Sequence, residues 1–181
     1  MRATLALLCL FGFAPQARAE ARISEIKIAL DGDRVLATFT LRNAFDRRLS
    51  ERIDSGLPTA ITYRFELHRD RKRWWDRKLE ESTLEVVAMY DAVAREYTVH
   101  SKLDGKLIES RTVRDKKALE SAMTQVGQLP VFTLTGLPHD RRLLLKVRAE
   151  LGSRTILALI PETIDTDWKE SSKFRPPRPP A

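Results

Sequence analysis

The triplet Asp54-Ser55-Gly56 is the one stretch of this sequence that matches the Asp-Ser/Thr-Gly signature of aspartic proteases. That chemistry needs two carboxylates that share one proton, since like charges so close together cannot both ionise. A chain with a single triplet would therefore have to act as a symmetric dimer. Gly56 also follows a predicted helical turn, where glycine is the residue expected just past the last helical position. We interpret the triplet as a helix end.

The three histidines, His68, His100 and His139, are far apart in the sequence, and none has a neighbour at metal-ligand spacing. His68 and His100 occupy polar positions of predicted strands, and His139 follows a proline in a predicted turn. We expect all three side chains to be exposed to solvent. A cluster formed only in three dimensions remains an alternative, but the sequence predicts no metal site.

No other stretch carries a recognisable reaction signature. There is no Gly-x-Ser-x-Gly elbow of a serine hydrolase and no glycine-rich phosphate loop. Asp31-Gly32-Asp33 and Asp165-Thr166-Asp167 lack the further carboxylates of a calcium loop and are typical of turns. We predict a protein that is not an enzyme and uses no cofactor, with a cryptic hydrolase as the last alternative.

The most distinctive stretch runs from residue 68 to residue 78, where six Lys and Arg residues surround two adjacent tryptophans. Such a segment can dock on lipid headgroups or on an acidic partner, with the indoles at the interface and arginines on phosphates. The candidate partner surface consists of Arg71, Lys72, Arg73, Trp74, Trp75, Arg77 and Lys78.

The same segment has a structural interpretation. One indole can fill the end of a β-sandwich while the aliphatic stems of the basic residues cover apolar surface. Adjacent residues of a strand point to opposite faces, so Trp74 and Trp75 cannot easily share one core face. The sequence does not decide which of the two indoles is exposed.

The N-terminus has the three parts of a secretory signal peptide. Arg2 precedes an apolar run from residue 3 to residue 13, and Ala17-Arg18-Ala19 provides small residues at a cleavage site. We predict cleavage before Glu20 and a periplasmic location. An uncleaved anchor is the alternative, but a helix of ~11 residues reaches only about half the thickness of the hydrocarbon core.

Residues 20–181 then form the predicted mature protein, which contains no cysteine because Cys9 lies in the signal. Loss of Arg2 and Arg18 reduces the 32 Lys and Arg residues to 30 against 25 Asp and Glu, a net charge of +5. This modest excess favours weak contact with anionic envelope surfaces over dedicated nucleic-acid binding.

Apolar residues alternate with polar ones through most of the mature chain, which predicts about eight strands. The best runs place Tyr63, Phe65, Val86, Val99, Leu145 and Val147 on one core face. Asp104-Gly105 between two such runs predicts a type I′ hairpin. Gly152-Ser153 is interpreted as a turn, and Pro161 as the end of the run that follows it.

Two segments break the alternation. A short helix is predicted from Asp46 to Asp54, and a second one is capped by Asp115 and stopped at Gly127. We predict a mainly β protein: a single β-sandwich over 20–170, immunoglobulin-like in its strand spacing, with one or two short connecting helices. An open barrel is the alternative. Residues 171–181, rich in Pro and Arg, are predicted to be a disordered polyproline II tail.

Four stretches resemble an exported bacterial family, domain of unknown function 4390, whose members are described as proline-rich signal peptide proteins. They run from Arg48 to Pro58, from Arg73 to Asp76, from Tyr97 to Val99 and from Leu129 to Val131. The resemblance covers nearly all of the mature chain. It implies a β-proteobacterial or related source, a periplasmic location and an association with a sensor kinase system, and it assigns no catalytic residue.

Together these observations predict a periplasmic interaction module with a protein partner in the envelope, as an accessory to an envelope sensor kinase system. The second hypothesis is a binder of anionic envelope surface or polyanion through the basic Trp-Trp segment. The sequence does not determine the oligomeric state.

Overall fold

A computed structural model describes residues 20–70, 77–137, 141–156 and 160–177. The signal peptide predicted for 1–19 lies outside these residues. Within them the chain forms eleven strand segments and two helices. In order they are β1 (Arg22–Ile23), β2 (Lys27–Asp31), β3 (Arg34–Arg42), α1 (Arg47–Asp54), β4 (Thr59–Arg69), β5 (Arg77–Asp91), β6 (Glu96–Leu103), β7 (Lys106–Val113), α2 (Lys116–Thr124), β8 (Gln125–Thr133), β9 (Leu143–Ile156), β10 (Ile160–Asp165) and β11 (Lys169–Glu170).

The strands form two antiparallel sheets, which confirms the mainly β fold and is consistent with the predicted sandwich. In the small sheet, β3 pairs with β1 and β2 along one edge and with β8 along the other. The large sheet has the order β10-β9-β4-β5-β6-β7, and β11 also pairs with β9. An immunoglobulin-like arrangement is not confirmed: β4 to β7 form one uninterrupted meander, whereas immunoglobulin folds connect two sheets by Greek keys.

The core lies between the sheets and contains every residue predicted for it. Tyr63, Phe65, Val86, Val99, Leu145 and Val147 are all buried. From the small sheet, Phe39 packs against the rings of Tyr63 and Phe65 at centroid distances of 5.4 and 6.0 Å. Leu30 of β2 is 39% exposed, because β2 is an edge strand of the small sheet.

Helix α1 and the hairpin between β6 and β7 form as the sequence predicts. Asp46 caps α1 by accepting a hydrogen bond from the Leu49 N–H at 2.8 Å, and Gly56 follows the helix with φ of 79°. Asp104 and Gly105 both have positive φ, 50° and 78°, as a type I′ turn requires.

Three predicted boundaries are wrong because strand pairing prevails over local signals. Helix α2 begins after Asp115, but it ends at Thr124 rather than Gly127, because Gln125 and Val126 already pair with β3. Gly152-Ser153 is not a turn either. Strand β9 continues to Ile156, and Gly152, with φ of 88°, lies where the register between β9 and β10 shifts, as in a β-bulge. Pro161 lies within β10 instead of ending a strand.

The predicted boundary between domain and tail, at residue 170, is also too early. Phe174 and Leu143 exchange two backbone hydrogen bonds of 2.9 and 2.8 Å, and Ser171 donates to the Leu145 carbonyl. Pro176 is buried. The tail residues up to Phe174 therefore extend the edge that β11 begins along β9, because Ser171 and Phe174 have the N–H groups that the later prolines lack. No helix in these ranges is long and apolar enough to span a membrane.

Candidate functional site

The basic Trp-Trp segment connects two strand ends of the large sheet. Arg71, Lys72, Arg73, Trp74 and Trp75 lie outside the described residues, so the structure does not place their side chains. Arg77 and Lys78 are described as the first two residues of β5, and both are exposed. Arg77 pairs with Arg69, the last residue of β4, so both flanks of the segment stand at the same end of the sheet.

Two further basic segments reach this end of the sheet. Arg69 pairs on its other side with Leu143, and the Asp70 N–H donates to the Arg142 carbonyl at 2.9 Å. Leu143 in turn pairs with Phe174 of the tail, which lies between Lys173 and Arg175. Four neighbouring backbones, each about 4.8 Å from the next, thus bring the basic residues together. We call Arg69, Arg77, Arg142 and Arg175 the basic end.

Within the described ranges, the ion pairs of this region involve residues next to the basic end and not its four arginines. Lys173 donates to Asp70 at 2.9 Å, and Lys78 lies 2.8 Å from Glu81, which raises the pKa of the Lys78 ammonium. The four arginines of the basic end form no ion pair within the described ranges, and three of them, Arg77, Arg142 and Arg175, are exposed. The side chains of these three arginines are therefore accessible from solvent.

A shallow hollow at the basic end has the composition of an anion subsite. Its lining consists of Arg142, Lys173, Phe174 and Arg175. Two arginines beside one apolar ring match a phosphate or carboxylate group attached to an apolar body, because guanidinium groups bind such oxygens in a bidentate manner. Sequence reasoning did not single out Arg142, although the doublet Arg141-Arg142 directly before a predicted strand was a usable signal.

The Asp54-Ser55-Gly56 triplet forms a different cluster at the end of α1. The Asp54 carboxylate accepts hydrogen bonds from the Tyr97 hydroxyl at 2.8 Å and from the Lys116 ammonium at 2.7 Å. The hydrogen bond from Lys116 is the main reason that the pKa of Asp54 is lowered. Burial, followed by the hydrogen bond to Asp54, raises the pKa of Tyr97 to about 12.

The partners of Asp54 in this cluster differ from those in the catalytic dyad of an aspartic protease. A carboxylate held by a cation and a phenol is ionised, whereas the protease mechanism needs a second carboxylate that shares its proton. The arrangement instead joins α1, β6 and the first turn of α2. The structure therefore supports the interpretation of the triplet as a helix end and makes Asp54 a structural anchor.

The two described histidines, His68 and His100, lie on different strands and do not converge, and the prediction of an exposed His68 is wrong. His68 is 9% exposed, because it lies beside the buried Leu144 on β9 and its Nε2 is 2.7 Å from Glu66 Oε2. His100 is half-buried, and His139 lies outside the described residues. In the ranges that the structure describes, no three His, Cys, Asp or Glu side chains are grouped as a metal site requires.

Comparison with known proteins gives one match. The model of the family described as "Domain of unknown function (DUF4390)" matches residues 18–173. No curated protein and no solved structure matches the chain. The match extends over all but the last described residues, including β1 to β11 and both helices, and it confirms the resemblance noted from the sequence. The chain therefore belongs to the DUF4390 family.

Proposed function

We propose that this chain is an exported, non-enzymatic binding module whose basic end engages the anionic surface of the cell envelope. The observation that carries the proposal is the convergence of β4, β5, the start of β9 and the tail at one end of the large sheet. Each contributes an arginine without a carboxylate partner among the described residues. Strand pairing thus brings four cations to one end of the sheet.

The spacing of these arginines suits a surface lined with phosphates. Four backbones at intervals of about 4.8 Å span roughly 14 Å, which is comparable to a Debye length of 8–10 Å at physiological salt. Cations so close to an anionic lipid surface act together, and each contributes about 1 kcal/mol. The predicted partner segment, Arg71 to Trp75, joins two of these backbones in sequence and would add three cations and two indoles.

The hypothesis of a protein partner in the envelope, as an accessory to a sensor kinase system, is compatible with this proposal. An acidic partner protein would use the same arginines. The two kinds of partner differ in salt dependence, because phosphate contacts weaken steeply with salt and a packed protein interface does so much less.

The proposal is tested with the mature protein and vesicles of phosphatidylcholine with or without phosphatidylglycerol. We expect binding only when phosphatidylglycerol is present, with a steep loss at higher salt. Changing Arg77, Arg142 and Arg175 together to Ser should weaken binding about 100-fold, since three cations at about 1 kcal/mol each are lost. Changing Arg71, Lys72 and Arg73 to Ser extends the test to the partner segment.

The matched control changes Arg22, Arg48 and Arg114 to Ser, which removes the same charge from exposed positions elsewhere. This control should bind nearly as well as the unmodified protein. Equal weakening in both triple variants would show that net charge alone drives binding, and unchanged binding of the first variant would exclude the basic end. Salt-sensitive binding of soluble polyphosphate without vesicle binding would identify a polyanion instead of a membrane.

A further inference from the structure

Strand β7 is an exposed edge of the large sheet. It pairs with β6 on one side, and no described strand pairs with its other side. Seven of its eight residues are exposed, among them Leu107 at 54% and Ile108 at 45%. An edge strand presents a row of backbone N–H and C=O groups that can accept another strand. The free edge of β7 is therefore a site where another strand could pair, unless features of the strand prevent it.

The usual protections of an edge strand are weak in β7. It contains no proline, and its one irregularity is a register shift to β6 at Ile108, which leaves the run from Glu109 to Val113 regular, whereas protected edges are short or interrupted. Its central charges have opposite signs, and the Arg111 guanidinium lies 2.5 Å from the Glu109 carboxylate on the same face. A row of like charges would repel an identical strand, but Glu109 and Arg111 do not form such a row.

We propose that β7 pairs with β7 of a second copy of this chain, antiparallel about a two-fold axis through Ser110. In this register Glu109 of each copy is directly opposite Arg111 of the other, so two ion pairs form across the axis. Directly opposite residues of antiparallel strands contact each other, so the charges of Glu109 and Arg111 carry the pairing. The register shift to β6 at Ile108 places Leu107 on the outer face of the sheet, away from Val113, and Leu107 therefore adds no contact across the axis.

Neighbouring registers lack this complementarity. Directly opposite residues of two antiparallel strands point to the same face of the sheet. Because residues of one strand alternate between faces, a two-fold axis that keeps both core faces on the same side must pass through a residue and not between two residues. Centred on Glu109, the pairing sets two glutamates against each other. Centred on Arg111, it does the same with two arginines. Only the register centred on Ser110 sets both central charges against opposite ones.

The dimer would join two large sheets into one continuous sheet and is independent of the basic end. A single, short edge pairing is a small interface, so we expect weak, concentration-dependent association. Sedimentation equilibrium of the mature protein without lipid measures it directly. The proposal predicts a monomer–dimer equilibrium for the unmodified chain.

Charge reversal supplies the decisive variants. Glu109→Arg and Arg111→Glu should each weaken self-association about tenfold or more, because each sets like charges against each other at two places. The double variant should associate as the unmodified chain does. An equimolar mixture of the two single variants should form a heterodimer, since the charges are again complementary. The control pair Asp31→Arg and Arg34→Asp reverses an exposed ion pair of the small sheet, away from β7, and should change nothing.

Heterodimer formation by two variants that do not self-associate would identify both the edge and the register. A chain that stays monomeric at all concentrations overturns the proposal, as does a dimer that Glu109→Arg leaves intact. Equal melting temperatures of the variants show that the differences do not arise from unfolding. Vesicle binding that fails while dimerisation persists would contradict only the proposed function.

Discussion

At the scale of single residues, Asp54 and Tyr97 show how a motif with catalytic appearance acts as a structural anchor. The Tyr97 hydroxyl is buried between β6 and α1, and its hydrogen bond to Asp54 connects the helix to the sheet. Tyr63 is buried more deeply and donates to the Met123 carbonyl at 2.8 Å. Both phenols therefore remain protonated well above the ordinary pKa of tyrosine.

This protonation predicts how stability depends on alkaline pH. The folded pKa of Tyr97 is about 12, above an unfolded value of about 10. The group therefore contributes stability that is complete below pH ~10 and is lost as pH rises through its folded pKa. Tyr97→Phe should make the fall in unfolding free energy between pH 10 and 12 shallower by about 1.4 kcal/mol per pH unit. Urea unfolding at several pH values measures this slope.

Asp54→Asn serves as the control, because it removes the neighbouring charge and leaves the phenol buried. Burial is the main cause of the raised pKa of Tyr97, so most of the alkaline fall should persist in this variant. If Tyr97→Phe left the slope unchanged, Tyr97 would titrate alike in the folded and unfolded chain.

At the scale of elements, three separate segments cover one edge of β9. Strand β10 covers its C-terminal half, β11 its middle, and residues Ser171 to Phe174 its beginning. The tail is thus a part of the sheet that also carries Arg175 to the basic end. The tail residues up to Phe174 are ordered because they pair with the edge of β9, and this edge exists only in the folded domain.

Truncation tests this role of the tail. A chain ending at Glu170 should lose about 1–3 kcal/mol of unfolding free energy, because it loses several backbone hydrogen bonds and the packing of Phe174. A chain ending at Pro177 is the control and should be as stable as the full mature protein. Chemical denaturation of both gives the comparison. Equal stability of the two truncated chains would restore the interpretation of residues 171–177 as an unpacked tail.

At the scale of the whole molecule, one core unites the two sheets. Phe65 and Val147 are fully buried neighbours on β4 and β9, and Phe65 also touches the small sheet through Phe39. Any charge at these positions would have no partner and no water. Such a charge would lower the free energy of unfolding of the entire domain, because both sheets pack on this core.

Replacing Phe65 or Val147 by Asp should therefore abolish folding. An unpaired buried charge costs several kcal/mol, a large part of the 5–15 kcal/mol that stabilises an ordinary domain. Circular dichroism and thermal melting of the purified variants measure the outcome. Phe65→Leu keeps an apolar side chain and should remain folded with a lower melting temperature. Cooperative melting of either Asp variant near the unmodified temperature would show that the core is assigned to the wrong face.

The sequence by itself determined the features that arise within a few residues. Alternation identified buried positions of β4, β5, β6 and β9, because successive strand residues point to opposite faces. The caps at Asp46 and Asp115 and the turn at Asp104-Gly105 depend on hydrogen bonds and dihedral angles of adjacent residues. Even the candidate partner segment stood out by composition alone, although the structure leaves its central residues undescribed.

Only the tertiary structure decided which distant residues share a surface. Arg69, Arg142 and Arg175 come together because β4, β9 and the tail pair side by side, and no local signal encodes that register. The same cause ends α2 at Thr124 and buries His68. Pairing between strands satisfies backbone groups of residues far apart in sequence, and where it conflicts with a local preference worth less than about 1 kcal/mol, the pairing prevails.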